Sequence, residues 1–227
     1  MLLSMPVLRP VACAALAVMF VVPALADTRL TLERNGSGDL PVDYRDAGNL
    51  RVGDDSQSNW YLTSAGERFV VMTSPDGGKR FAMNMDQFLA RDDAPPAATV
   101  DLAAVTATPT GRAETVAGIT GQVYLVNGNG RSWELVLTGD DTMAAVTDGV
   151  YGAEIRMARM SGQAMAAQPL AVELALAKSL NLPGILRGQL YTLADVEADA
   201  GFPQDHFRLA GDTLLIKDWK EMQDAYH

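Results

Sequence analysis

Two histidines, His206 and His227, are the first residues to consider for catalysis, because the chain contains no others. Asp205 precedes His206, so a carboxylate is available to orient the imidazole of a general base. No particular serine can be assigned as a nucleophile beside it, and two histidines are too few for a histidine-rich metal site. We therefore expect His206 to be an ordinary loop histidine, and we predict no catalytic residue, no metal site and no enzymatic activity.

Acidic residues in adjacent pairs are a second potential source of chemistry, because paired carboxylates bind calcium or share a proton. The pairs are Asp54 and Asp55, Asp92 and Asp93, and Asp140 and Asp141. Each adjoins a loop or the start of a predicted helix, where solvated or helix-capping acids are expected. The motifs of serine hydrolases, zinc peptidases, EF-hands and dinucleotide-binding folds do not occur, so we predict no cofactor.

Large apolar residues form the remaining candidate site. Residues two apart in a strand share a face of the sheet, and on that basis one set of apolar residues is predicted to share a face. The set is Trp60, Leu62, Phe69, Val71, Phe81, Met83, Met85, Leu125, Trp133 and Leu135. Such a face is either a closed core or the lining of an apolar cavity. The methionines favour a cavity, because flexible thioether side chains accommodate varied apolar surfaces.

The first half of the chain predicts the strands that carry much of this set, because short apolar segments alternate with turn residues. The predicted strands are Leu30–Arg34, Val42–Arg45, Leu50–Val52, Trp60–Thr63, Arg68–Thr73 and Arg80–Met85. Two aspartates and two prolines then predict a short loop at residues 91–98, which is too short to require a domain boundary.

The second half predicts further strands on both sides of two helices. Strands are expected at Thr99–Thr106, Ala113–Val116, Gly121–Val126 and Ser132–Thr138, and again at Leu186–Leu193, Phe207–Leu209 and Thr213–Ile216. Apolar residues three and four apart from Met143 to Met160 predict the first helix, with Asp140 as a cap residue. The second is predicted to begin at Pro169 and to end before Pro183. It is apolar nearly all round, so a sheet is expected to cover it.

These elements predict a mainly β protein of the α+β class. The economical arrangement is a single domain, residues 27–227, whose curved antiparallel sheet forms an incomplete β-barrel. The two helices are expected to cover its concave or open side, and the chain is expected to finish in a polar end from Lys217 to His227.

The first 26 residues predict a signal peptide that is cleaved after Ala26. Arg9 is their only charge, and the apolar run Val11–Val22 is shorter than the roughly 20 residues that span a bilayer. Cys13 suggests a lipid anchor, but the apolar segment follows it instead of preceding it. We expect a soluble periplasmic protein that does not span the membrane and has no cysteine after processing. The net charge of the full chain, −10, argues against nucleic acid as a partner.

The segment Gly111–Tyr124 resembles a pattern of a family of exported bacterial proteins of unknown function, with Ala117 and Gly118 as its Ala-Gly pair. The stretch Val42–Arg51 is similar to the second strand pair of that family. Many members carry a cysteine soon after the Ala-Gly pair, and this chain has none there. The family is in turn similar to the periplasmic lipoprotein carriers of the LolA-like superfamily. That resemblance implies an incomplete β-barrel closed by helices over an apolar cavity.

Three functional hypotheses follow. The first is a non-catalytic periplasmic protein that binds an acyl chain, a lipid or a lipidated peptide in the half-barrel. The second is an interaction or stress-sensing module that docks another envelope protein, for which a filled core and a surface patch would argue. The third is a hydrolase that uses His206.

Overall fold

The computed structural model describes residues 27–36, 38–74, 76–128 and 130–226. The predicted signal peptide, residues 1–26, lies outside the described residues. The strands in chain order are β1 Thr28–Arg34, β2 Gly38–Asp46, β3 Asn49–Val52, β4 Asn59–Ser64, β5 Glu67–Thr73, β6 Arg80–Asn84, β7 Val105–Val116, β8 Ile119–Gly128, β9 Arg131–Thr138, β10 Gly184–Arg187, β11 Tyr191–Glu197 and β12 Leu214–Ile216. The α-helices are α1 Met85–Leu89, α2 Asp141–Met160, α3 Gln168–Ser179 and α4 Trp219–Tyr226.

All twelve strands belong to one sheet, with the order β12-β6-β5-β4-β3-β2-β1-β11-β10-β9-β8-β7. Strand β11 pairs with β1, so the two halves of the chain share one sheet. The prediction of a mainly β class is confirmed. The sheet is mixed and not purely antiparallel, because β12 runs parallel to β6. Among the described strands it is not closed, and β12 and β7 are its two edges.

Both predicted helices are present. The side chain of Asp140 accepts a hydrogen bond of 2.8 Å from the backbone N–H of Met143, which caps α2 at its first turn. Pro169 stands in the first turn of α3, where its missing N–H leaves no helical bond unmade. Among the described residues, no helix is long and apolar enough to cross a membrane.

Several predicted boundaries are wrong for local reasons. Met85 does not end strand β6, because the side chain of Asn84 accepts from the N–H of Gln87 and caps helix α1. Residues 105–116 form one long strand with an irregularity between Pro109 and Ala113, where two strands were predicted. Phe207–Leu209 lies in a segment without strand pairing, and much of the expected polar end forms α4.

The two sides of the sheet are covered differently. We call the side that carries α1, α2 and α3 the helix side, and its core contains Leu30, Val42, Val70, Met83 and Val150. On the other side, the segment of residues 200–209 covers strands β4, β5 and β6. Because these three strands are buried on both faces, alternation of apolar and polar residues cannot identify their faces from the sequence.

Candidate functional site

Four of the ten predicted cavity residues lie under the segment 200–209, on the side away from the helices. Trp60, Leu62, Phe69 and Val71 form a cluster with Ala82, Phe202 and Phe207. The register pairs Trp60 with Val71 and Leu62 with Phe69, which places these four side chains together as predicted. They are packed against protein, and Trp60 also borders a pocket on the outer surface.

Five of the ten lie on the helix side instead. Phe81, Met83, Met85 and Leu135 are buried there, and Trp133 packs partly buried against the same core. Because Val71 pairs with Ala82, the neighbouring Phe81 and Met83 face the side opposite to Val71. The tenth, Leu125, is 41% exposed and pairs with Glu134, one position out of phase with Trp133 and Leu135.

The assignment of all ten residues to one face is therefore wrong. The residues are divided between two packed clusters, with Leu125 exposed. Of the helix-side members, Trp133 also borders an opening. A ligand-binding role for any of the ten stays a prediction.

This opening, which we call the Trp133 cleft, is about 250 Å³ in volume. It lies between strands β7, β8 and β9 and the first turns of α3. Its apolar wall comes from Val105, Trp133, Pro169 and Val172, and its polar rim includes Arg131. Arg131 is exposed and forms no ion pair within the described part of the chain.

A fully buried carboxylate, Glu173, lies behind the cleft. Its Oε1 accepts a 2.8 Å hydrogen bond from the backbone N–H of Gln189, and its Oε2 accepts one of 3.2 Å from the hydroxyl of Tyr151. The indole N–H of Trp133 lies on the same side and helps to lower the carboxyl pKa, without completing a hydrogen bond of normal geometry. Burial outweighs these contacts and raises the pKa of Glu173 above its usual range.

The chain makes room for this carboxylate at Gly188. A Cβ atom at that position would collide with Oε2 of Glu173 and would lie 2.8 Å from the hydroxyl oxygen of Tyr151. In the sequence, Glu173 and Lys178 are the two charged residues of the apolar helix α3. Burial of such a residue could have been expected from that pattern, but its partners could not.

A second opening on the helix side, which we call the polar cavity, measures about 430 Å³. Arg34, Gln57, Asn59, Tyr61 and Glu154 border it. None of these five residues was predicted from the sequence. They come from β1, the β3–β4 turn, β4 and α2, so no local sequence motif predicts that they lie together.

His206 is oriented by a carboxylate, but not by the neighbouring Asp205. Its Nε2 lies 2.7 Å from Oδ2 of Asp43, which also accepts a 2.8 Å hydrogen bond at Oδ1 from Nε of Arg29. The ring stacks on Phe202 with a centroid distance of 4.6 Å. In this setting the imidazole holds the segment 200–209 onto strand β2.

The acidic pairs lie in turns and caps. Asp140 caps α2, and Asp54 accepts from the N–H and hydroxyl of Ser56 within a turn. Within the described ranges, no three His, Cys, Asp or Glu side chains are placed to hold a metal ion.

Neither a scan against protein-family models nor a search of curated proteins finds a match to this chain. The resemblance to the LolA-like carriers therefore stays a prediction.

Proposed function

We propose that this chain is a non-catalytic periplasmic binding protein that takes the end of an acyl chain into the Trp133 cleft. One observation carries the proposal: an apolar cleft on the helix side has at its rim a cation, Arg131, that forms no ion pair with any described residue. An acyl chain with an anionic head group matches both features. The ligand class is that of a fatty acid, a lipid or a lipidated peptide.

Contacts of α2 support the curved half-barrel that this function implies. The hydroxyl of Thr147 accepts from the N–H of Ile185 on β10, whereas Gly149 lies against Leu50 on β3. Those strands are four places apart in the sheet, or about 19 Å if it were flat. Thr147 and Gly149 are only about 3 Å apart along the helix, which has a diameter of about 10 Å. A sheet that bends around α2 accounts for both contacts.

The size of the cleft limits the affinity. At about 30 Å³ for a group the size of a water molecule, 250 Å³ admits about eight carbon groups. Burial of eight methylenes contributes about 6 kcal/mol before the costs of association, so we expect a Kd no tighter than about 40 μM from the chain alone.

The test is a titration with saturated fatty acids of increasing length, from hexanoate to tetradecanoate. Affinity is expected to rise about fourfold per methylene until about eight carbons are buried, and then to level off. Affinity that is independent of chain length, or that rises through the whole series, contradicts binding in this cleft.

A second titration tests the head group. Arg131→Ala is expected to weaken fatty-acid binding about two- to fivefold, as for an exposed ion pair, and to leave binding of the matching fatty alcohol unchanged. Arg208→Ala is the control, since Arg208 is an exposed arginine on the segment 200–209, outside the cleft. Equal effects of the two substitutions would remove Arg131 from the proposal.

A docking function is the second candidate, because the core residues on the helix side are buried and the edge strand β12 exposes apolar residues. Leu214 and Leu215 are 48% and 66% exposed. An envelope protein that docks there would lose binding to a Leu215→Glu variant whose acyl-chain affinity is unchanged. A variant that keeps its binding to the envelope protein but loses acyl-chain affinity favours the cleft.

A further inference from the structure

The polar cavity differs in chemistry from the Trp133 cleft. Strand alternation places Asn59 and Tyr61 on the helix side, because they flank Trp60, which faces the other way. Arg34 shares the helix side with Leu32, two residues before it on β1. Glu154 approaches them from α2, and Gln57 from the β3–β4 turn. Five hydrogen-bonding side chains from four elements thus border one opening.

Two of these side chains are held in place by Tyr191. Nη2 of Arg34 donates to the Tyr191 hydroxyl at 2.6 Å and forms an ion pair with Oε1 of Glu154. The Tyr191 hydroxyl donates in turn to the same Oε1 at 2.9 Å. The charges of Arg34 and Glu154 are therefore matched, and Oε2 of Glu154 has no hydrogen-bond partner among the described residues.

Tyr61 is the independent observation that points to a ligand. Its side chain belongs to the buried core, with the residue 8% exposed, yet it borders the polar cavity. Its hydroxyl forms no hydrogen bond to another described residue and is not among the fully enclosed unpaired polar atoms, so it is open to the cavity and free to bind a ligand group. Burial raises the pKa of this phenol, so it is a neutral hydroxyl that can donate and accept.

The remaining groups indicate a neutral ligand. Gln57 and Asn59 are amides, which both donate and accept. Asp39 also borders the opening, but it pairs with Glu33, so strand alternation directs its side chain to the opposite face. A volume of 430 Å³ corresponds to about fourteen groups the size of a water molecule.

We propose that the polar cavity binds a neutral polyhydroxylated ligand of the size of one sugar residue. The ligand hydroxyls would donate to Oε2 of Glu154 and pair with the hydroxyl of Tyr61, while the amides of Gln57 and Asn59 bind further ligand hydroxyls. This site is separate from the acyl-chain cleft and does not depend on the proposed function.

Saturation-transfer NMR with the full mature chain tests this inference, with methyl glucoside and N-acetylglucosamine as probes. We expect at least one of the two sugars to bind with a Kd in the millimolar range. Tyr61→Phe removes only the unpaired hydroxyl, and we expect it to weaken binding about three- to tenfold. Tyr44→Phe is the matched control, because Tyr44 lies outside the polar cavity, and it should leave the Kd unchanged.

Three outcomes would overturn the inference. The first is no saturation transfer to either sugar, and the second is the same Kd for wild type and Tyr61→Phe. The third is binding of the cation ethylammonium in preference to both sugars, because the inference requires a neutral ligand. Arg131→Ala should not change sugar binding, so failure at the polar cavity and failure at the Trp133 cleft can be distinguished.

Discussion

Glu173→Gln should abolish a loss of stability that the wild type suffers as the pH rises towards neutrality, because it replaces an ionisable group at a fully buried position with a neutral one. Glutamine has the shape of glutamate and keeps an oxygen that can accept from the N–H of Gln189. The hydroxyl of Tyr151 can rotate to accept from the new amide, but its own proton then has no acceptor among the described residues. That cost is the same at every pH, so it does not alter the pH dependence.

The size and sign of the effect follow from proton linkage. Burial raises the pKa of Glu173 in the folded state. Below its ordinary pKa, both the folded and the unfolded chain hold the proton. As the pH rises past that value, the unfolded chain loses its proton first, and the free energy of unfolding falls until the pH passes the folded-state pKa. Each unit between the two pKa values costs about 1.4 kcal/mol, a loss that the glutamine variant does not share.

Urea denaturation at a series of pH values from about 2 to 8 measures this difference, with about 1.4 kcal/mol expected per unit of separation, and its acidic end covers the range in which the control below titrates. Glu134→Gln is the control, because the pKa of Glu134 is shifted in the opposite direction. Hydrogen bonds from Arg187 and Arg112 lower the pKa of Glu134, so its contribution to stability is lost as the pH falls. If wild type and Glu173→Gln have the same pH dependence, Glu173 does not carry a raised pKa and the description of this carboxylate is wrong.

Two further substitutions test the packing. Gly188→Ala places a methyl group against the carboxylate of Glu173 and should lower the free energy of unfolding in urea by about 1 to 3 kcal/mol, whereas an unchanged value would mean that the carboxylate can move away. Leu62→Ala should lower the free energy of unfolding by about 2 to 5 kcal/mol, because Leu62 is 1% exposed. Leu125→Ala should change it by less than about 0.5 kcal/mol, because Leu125 is 41% exposed. Similar losses for the two leucines would contradict their placement on a buried and an exposed surface.

The local elements could be predicted well because their signals lie close together in the sequence. Asp140 and the apolar spacing after it predict α2, and Pro169 marks the first turn of α3. Most strands of the first half also follow from alternating apolar segments and turn residues. The mainly β class then follows from counting these elements.

The faces of the central strands could not be predicted, because their burial depends on distant parts of the chain. Phe81 and Met83 were grouped with Trp60 and Leu62, although the register places the two pairs on opposite faces. The segment 200–209 covers one face and the helices cover the other, so both phases of the alternation are apolar. Periodicity cannot choose between two buried faces.

The polar cavity was missed for a related reason. Arg34 is 120 residues from Glu154 and 157 from Tyr191 in the sequence, yet the three side chains form one network. Their proximity arises because β1 pairs with β11, a contact that no local pattern encodes. Trp133, one of the ten residues predicted from the sequence, borders the proposed cleft, and its role in binding stays a prediction.

The most direct test of acyl-chain binding is to follow the indole N–H resonances of the protein during a titration with decanoate. The chain has three tryptophans, Trp60, Trp133 and Trp219, and the polar atom of each lies in different surroundings. We predict that the Trp133 resonance shifts progressively and saturates, while those of Trp60 and Trp219 stay in place. An unchanged Trp133 resonance, or equal shifts of all three, would contradict binding in the Trp133 cleft.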